Sequence, residues 1–198
     1  MRILIWRAVV PALVLVLGGM RPLSAQAIVH ASTFVPVASP TGIGVRNLSF
    51  GNIAPISGST TTVTIPAAVA PQSGTRQSGQ FDITAAGAAG VAFQLTLPPV
   101  LTSTIGGLTL PVSFNGNQFG AHCTVNATTP CTLTTFNPAT VGTITVCARV
   151  VGSTCHRPTV WTSPTLIHIY LGGSVSIAPA TAAATYVGVV TLVITQVY

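Results

Sequence analysis

The sequence predicts an all-β protein, a sandwich or a barrel, on three observations. Hydrophobic residues make up 48% of the 198 and charged residues only 4%, a balance that suits neither a disordered chain nor a coiled coil. Short runs of alternating Val, Thr, Ile, Leu and Phe recur along the chain, the period of half-buried strands. Between them stand clusters of Gly, Pro, Asn and Ser, with 19 Gly and 15 Pro in all, which supply the positive-φ and fixed-φ positions of reversals.

The chain opens on Arg2 and Arg7, an apolar stretch from Ala8 to Leu17, and the small-x-small site Ala25-Gln26-Ala27. This reads as a secretory signal peptide over residues 1–27, cut between Ala27 and Ile28. The apolar run falls short of the ~20 residues that span a bilayer, so membrane anchoring is not expected once the leader is gone. Residues 28–198 then form a single β domain, expected to be secreted or at the cell surface, with the periplasm as a station in transit.

The elements follow in order. Ile28–Val37 alternates Val29, Ala31, Thr33, Val35 and Val37 on one face. Val45–Ile53, Thr60–Ile65, Gln80–Thr84, Val91–Leu97, Leu108–Phe114, Thr132–Phe136, Thr143–Val150, Leu166–Leu171 and Ser174–Ile177 are shorter runs, bounded by turns such as Pro40-Thr41-Gly42, Asn115-Gly116-Asn117 and Gly172-Gly173. In Thr60–Ile65, Val63 and Ile65 share the face to be buried and Thr62 and Thr64 the wet one. The last run, Tyr186–Tyr198, carries Tyr186, Val190, Leu192 and Ile194 on one face and Val187, Val189, Val193 and Val197 on the other. Apolar on both sides, it is expected inside the structure or beneath another chain.

Asp82 is the one acidic residue, and Glu and Lys are absent. Most hydrolytic and phosphoryl-transfer chemistry needs paired carboxylates or a carboxylate with a lysine, so no enzyme, catalytic residue or cofactor is expected. A Ser-His-Asp triad would have to use Asp82, which lies between Phe81 and Ile83 as an outward strand residue suited to an Arg partner. After leader removal Arg46, Arg76, Arg149 and Arg157 stand against Asp82. Four scattered arginines make no basic stripe, so nucleic acid is not an expected partner. Gly42-x-Gly44 precedes a strand rather than a helix, so it reads as a turn and not a phosphate loop.

Cys123, Cys131, Cys147 and Cys155 all lie in the exported part, and an even set there implies disulfides. Three connectivities are open. Local pairing, Cys123 with Cys131 and Cys147 with Cys155, is preferred because turn formers lie between the partners of each pair (Asn126 to Pro130; Gly152-Ser153). His122 beside Cys123 and His156 beside Cys155 suggest a metal cluster, but the spacing lacks zinc knuckles. His30 and His168 read as lone strand residues. Asn47 and Asn126 each begin an N-glycosylation pattern.

Three segments together resemble a family of secreted bacterial proteins catalogued as domain of unknown function 4402. They are Leu48-Ser49-Phe50-Gly51-Asn52-Ile53 with the Thr-rich strand to Ile65, Gly79-Gln80-Phe81-Asp82-Ile83-Thr84 through Phe93-Gln94-Leu95-Thr96-Leu97-Pro98, and Leu171-Gly172-Gly173-Ser174-Val175 with the closing run Tyr186 to Tyr198. The stretch from Cys123 to Cys155 has no place in that pattern. The family is similar in texture to fimbrial and spore-coat-like subunits. The resemblance implies an immunoglobulin-like antiparallel β-sandwich, pilin-like, with an incomplete edge and a structural or adhesive role.

In such a sandwich a neighbour can add a strand to an open edge. Ile28–Val37 would be the donor strand, and Tyr186, Gly188, Val190, Leu192, Ile194 and Tyr198 would border the acceptor groove. The partners implied are the protein itself or related subunits, and an export chaperone. Chaperone–usher pilins end on a penultimate Tyr with a Gly near the start of the last strand, whereas here Tyr198 is terminal and Gly188 lies nearer the end. Ile28–Val37 pairing within its own chain is the competing expectation. A monomeric module holding a glycan or protein through Trp161, Tyr170 and the Asn115–Phe119 loop is the second reading, and an outer-membrane barrel the third.

Overall fold

The computed structural model describes residues 25–34, 40–68, 75–85, 87–125, 131–151, 154–155, 161 and 165–197. Two sheets face each other across one core. The larger runs β4 (Thr61–Ile65), β16 (Gly173–Ile177), β9 (Thr109–Ser113), β8 (Val100–Ser103), β17 (Thr185–Val197), β1 (Ala25–Phe34), β3 (Leu48–Ile53), β5 (Arg76–Gln77). Further along β17, its β8 edge passes to β7 (Gly90–Thr96), which carries β12 (Ile144–Cys147) outside it. The smaller sheet runs β11 (Thr134–Phe136), β10 (Gly120–Val125), β15 (Thr165–Leu171), β6 (Gly79–Ala85), β2 (Thr41–Arg46), and a separate hairpin joins β13 (Val150–Val151) to β14 (Thr154–Cys155). No α-helix occurs among the described residues. The sheets do not close into a barrel, the arrangement the outer-membrane reading requires.

Alternation builds the core. Val63 and Ile65 are buried while Thr62 and Thr64 are exposed, as the pattern predicts. Phe50, Phe93, Leu101, Tyr186, Val190 and Leu192 from the larger sheet meet Phe81, Ile83, Ile167 and Ile169 from the smaller in one buried cluster. Burying apolar area of this kind contributes about 25 cal/mol per Å² removed from water, the main term holding the sheets together.

Three of the crossings between the sheets are single-residue corners: Asn47 between β2 and β3, Ser78 between β5 and β6, and Gly172 between β15 and β16. The predicted strand Val45–Ile53 is therefore two strands in different sheets. Arg46 holds the first two corners together. Its Nε donates to the Ser78 carbonyl at 2.7 Å, and its Nη2 reaches Ser78 Oγ at 3.1 Å and the Ala68 carbonyl at 3.2 Å. At the third corner a Cβ on residue 172 would run into the Ile65 carbonyl oxygen and come within 2.7 Å of Ala67 N and Pro66 C. Only glycine admits that approach.

Candidate functional site

The seam between β3 and β17 is where the predicted assembly residues meet, and β1 of the same chain fills it. Nine consecutive positions, Gln26 to Phe34, pair with Thr185 to Val193, and the pairing is parallel. On its other edge β1 pairs antiparallel with β3, from Ala25 opposite Ile53 to Val29 opposite Leu48. The strand begins at Ala25 rather than Ile28, so Ala27 and Ile28, the predicted cleavage residues, lie within the ladder. The sandwich is antiparallel except for this one pairing. Of the two expectations for the strand, pairing within its own chain is the arrangement seen. Val35, Val37 and Tyr198 lie outside the described residues, as do residues 1–24, His156 and Asn126.

The register sets Val29, Ala31 and Thr33 opposite Gly188, Val190 and Leu192. Tyr186, Val190, Leu192 and Ile194 are buried, and the Tyr186 hydroxyl donates to the Ala182 carbonyl at 3.0 Å, which lets a phenol sit inside the core. Gly188 is needed for packing, since a Cβ there would come within 2.8 Å of Leu101 Cδ2. The second face of β17 is not enclosed. Although the strand has neighbours along both edges, Val189 is 55% exposed on the outer surface.

The cysteines pair locally, Cys123 with Cys131 and Cys147 with Cys155, with Cα atoms 5.5 and 5.1 Å apart. Alternation along β10 sends its neighbours to opposite sides of the sheet. Cys123 joins Ala121 and Tyr170 in a small outer cluster beside Ala67 and Cys131. His122 lies edge-on to Phe93 at 6.0 Å and near Phe136 at 6.1 Å. Its Nδ1 is buried without a hydrogen-bond partner, and burial lowers its pKa from the ordinary 6.5. No metal-binding cluster of His, Cys, Asp or Glu forms among the described residues.

Asp82 takes a histidine rather than the expected arginine. It stands directly across the ladder from His168, with Oδ1 at 2.7 Å from His168 Nδ1 and accepting from Gln80 Nε2 at 2.8 Å. The chain's one carboxylate is thus spent tying β6 to β15. Next to it Tyr170 is raised above its ordinary pKa, mainly by burial and further by Asp82, with Arg46 opposing.

A cleft of about 650 Å³ is the second site, and the sequence reading missed it. Pro98 and Pro99 break the chain between β7 and β8, so the larger sheet forks there. The cleft is lined by the β7 arm, the end of β9 and the loop of residues 138–142, with Leu95, Leu97, Val112 and Phe114 as its apolar side chains and Gln94 and Asn115 among its polar ones. The Pro-Pro pair was the available signal. The patch predicted from Trp161, Tyr170 and the Asn115–Phe119 loop does not form as a unit. Trp161 packs against the main core, Tyr170 is buried in the outer cluster, and only Asn115 borders the cleft. No known family profile and no curated protein matches this chain.

Proposed function

We propose that the protein is a secreted structural or adhesive surface subunit, fimbria-like, that assembles by exchanging its N-terminal strand between copies. The observation that carries this reading is the seam itself. A terminal strand completes the sheet between β3 and β17, and only residues 35–40 join it to β2. A strand from a neighbour makes the same main-chain bonds in the same place, a low-cost route from monomer to multimer. Pro36 and Pro40 bias the joining segment toward extended backbone, which favours reaching out over folding back. Related subunits or an export chaperone would occupy the seam by the same chemistry.

The test compares the exported chain 28–198 with one beginning after Val37, on unboiled non-reducing gels and by negative-stain microscopy. Ladders or filaments from the first, lost in the second, whose open seam instead takes up a synthetic 28–37 peptide as a capped monomer, support strand exchange. A single disulfide-intact monomer in both samples refutes it. The cleft favours the second reading, a monomeric module, and its uncharged lining suits a neutral ligand. Retention of the monomer on a neutral polysaccharide column, abolished by Phe114→Trp, is the result that reading expects.

A further inference from the structure

We propose that residues Ala25–Ala27 have two mutually exclusive partners, the processing peptidase and the sheet, so that leader removal must precede closure of the sandwich and a chain that folds first is locked as precursor. The inference rests on the signal-peptide reading of residues 1–27 and concerns when the seam of the proposed assembly becomes fillable. A peptidase binds the residues before its scissile bond as an extended strand, using their main-chain groups. In the folded chain those groups are engaged on both edges. Ala25, Gln26 and Ala27 pair with Ile53, Asn52 and Gly51 of β3, while Gln26 and Ala27 also pair with Thr185 and Tyr186 of β17.

The junction itself is marked. The register of β1 against β3 shifts between Ala27 and Ile28, where Gly51 takes a left-handed φ of 74° and a Cβ would meet Thr75 Oγ1 at 2.6 Å. This bulge loosens one edge of the predicted scissile bond. The other edge runs unbroken along β17, so the bond stays covered.

Cleavage also changes what holds the strand. Three of its β3 partners, Ile53, Asn52 and Gly51, lose their mates with the leader, leaving only Ile28 opposite Ser49 and Val29 opposite Leu48. The β17 ladder from Ile28 to Phe34 survives whole. The strand of the cut chain is thus hung mainly on β17, the side the exchange reading needs, whereas that of an uncut folded chain is anchored on both sides.

The experiment uses the full-length chain, folded with its disulfides in detergent micelles, and a purified type I signal peptidase. Appearance of an N-terminal Ile28 is followed by mass spectrometry, beside a synthetic peptide of residues 8–34 that cannot form the sheet. The expected result is efficient cutting of the peptide and at least a tenfold slower cut of the folded precursor, with the rate recovered when the precursor is reduced and unfolded before dilution into the assay. Equal rates for peptide and folded precursor overturn the proposal while leaving the leader reading intact. A peptide left uncut at Ala27 overturns both.

Discussion

Replacing Gly172 with alanine tests the two-sheet corner most directly. The new methyl would overlap the Ile65 carbonyl and stand 2.7 Å from Ala67 N and Pro66 C, and all three are main-chain atoms that cannot swing aside as a side-chain end would. Relief requires the start of β16 and the end of β4 to separate. Two bonds lie in the way, Gly172 N to the Phe119 carbonyl and Ala67 N to the Gln118 carbonyl, both 2.7 Å. Overpacking costs about 1–3 kcal/mol and each weakened bond about 1 kcal/mol, so Gly172→Ala should lose about 3–5 kcal/mol. At roughly 2–4 °C per kcal/mol for a chain of this size, Tm should fall by roughly 6–20 °C. Trp161, the one tryptophan in residues 28–198 and packed on the core, reports urea unfolding by fluorescence in that fragment. Gly142→Ala is the control, since nothing lies within 4 Å of its Cβ; it should match wild type within about 0.5 kcal/mol. A Gly172→Ala protein as stable as that control would refute the assignment of residue 172 to a sheet-crossing corner.

Four other outcomes follow. His122 has its pKa lowered in the fold against 6.5 unfolded, so the unfolded chain binds the proton first and stability should decline as pH falls through 6.5, levelling off below the folded pKa. His122→Phe should flatten that decline and add about 1 kcal/mol at pH 7 by removing an unpaired buried nitrogen; equal urea midpoint shifts between pH 8 and pH 5 in both proteins would contradict this. Each disulfide closes a short loop, its cysteines 8 residues apart, so Cys123→Ala/Cys131→Ala and Cys147→Ala/Cys155→Ala should each cost about 2.5 kcal/mol, and an unchanged denaturation midpoint would count against a stabilising role. A double-mutant cycle on Asp82→Asn and His168→Gln should show coupling of about 0.5–1 kcal/mol for this half-buried cross-strand pair, whereas strict additivity would mean the pair is idle. The assembly proposed above for residues 28–198 should change less than about twofold between low and ~0.5 M salt, because their few charges leave little to screen; a steep dependence measured by light scattering would assign it to ion pairs.

Much of the fold was legible because its core strands alternate. Thr61–Ile65 and Gly79–Ala85 appear in the structure within a residue or two of where the pattern put them. The misses have physical causes. Thr41–Gly44 reads as a turn because Gly42 and Gly44 interrupt it, and the two-residue period of Val45–Ile53 continues through Asn47 without revealing that the chain changes sheets there. Gly120–Val125 carries Gly, His and Cys, poor strand formers by composition, yet it lies between β11 and β15 because its neighbours supply the ladder. Val100–Ser103 was hidden behind Pro98 and Pro99, which end β7 and start a new arm of the sheet. The partner of Asp82 was invisible because cross-strand neighbours depend on register, which periodicity does not fix. Strand direction is equally silent in a pattern, hence the parallel ladder between β1 and β17.

That parallel ladder explains why β1, of all the strands, is the one suited to exchange. Its partners lie at the far end of the chain, Gln26 against Thr185 and Phe34 against Val193, so no hairpin turn ties the strand to β17. Closing a loop of that length carries an entropy cost that grows only logarithmically with length, but the ladder begins to offset it only once the rest of the sheet exists. β1 therefore joins after the surface it binds has formed, and it leaves without opening a hairpin to β17. Whether it closes on its own chain or a neighbour's is then a contest of concentrations. A short tether holds the strand near its own seam at an effective concentration in the millimolar range, so a dilute isolated chain closes on itself. On the proposed reading, chains brought side by side before their seams close would meet at local concentrations where a neighbour's strand competes on equal terms. On the assembly proposed above, the same ladder would close a monomer in dilute solution and join subunits in a crowded one, with local concentration deciding between the two partners.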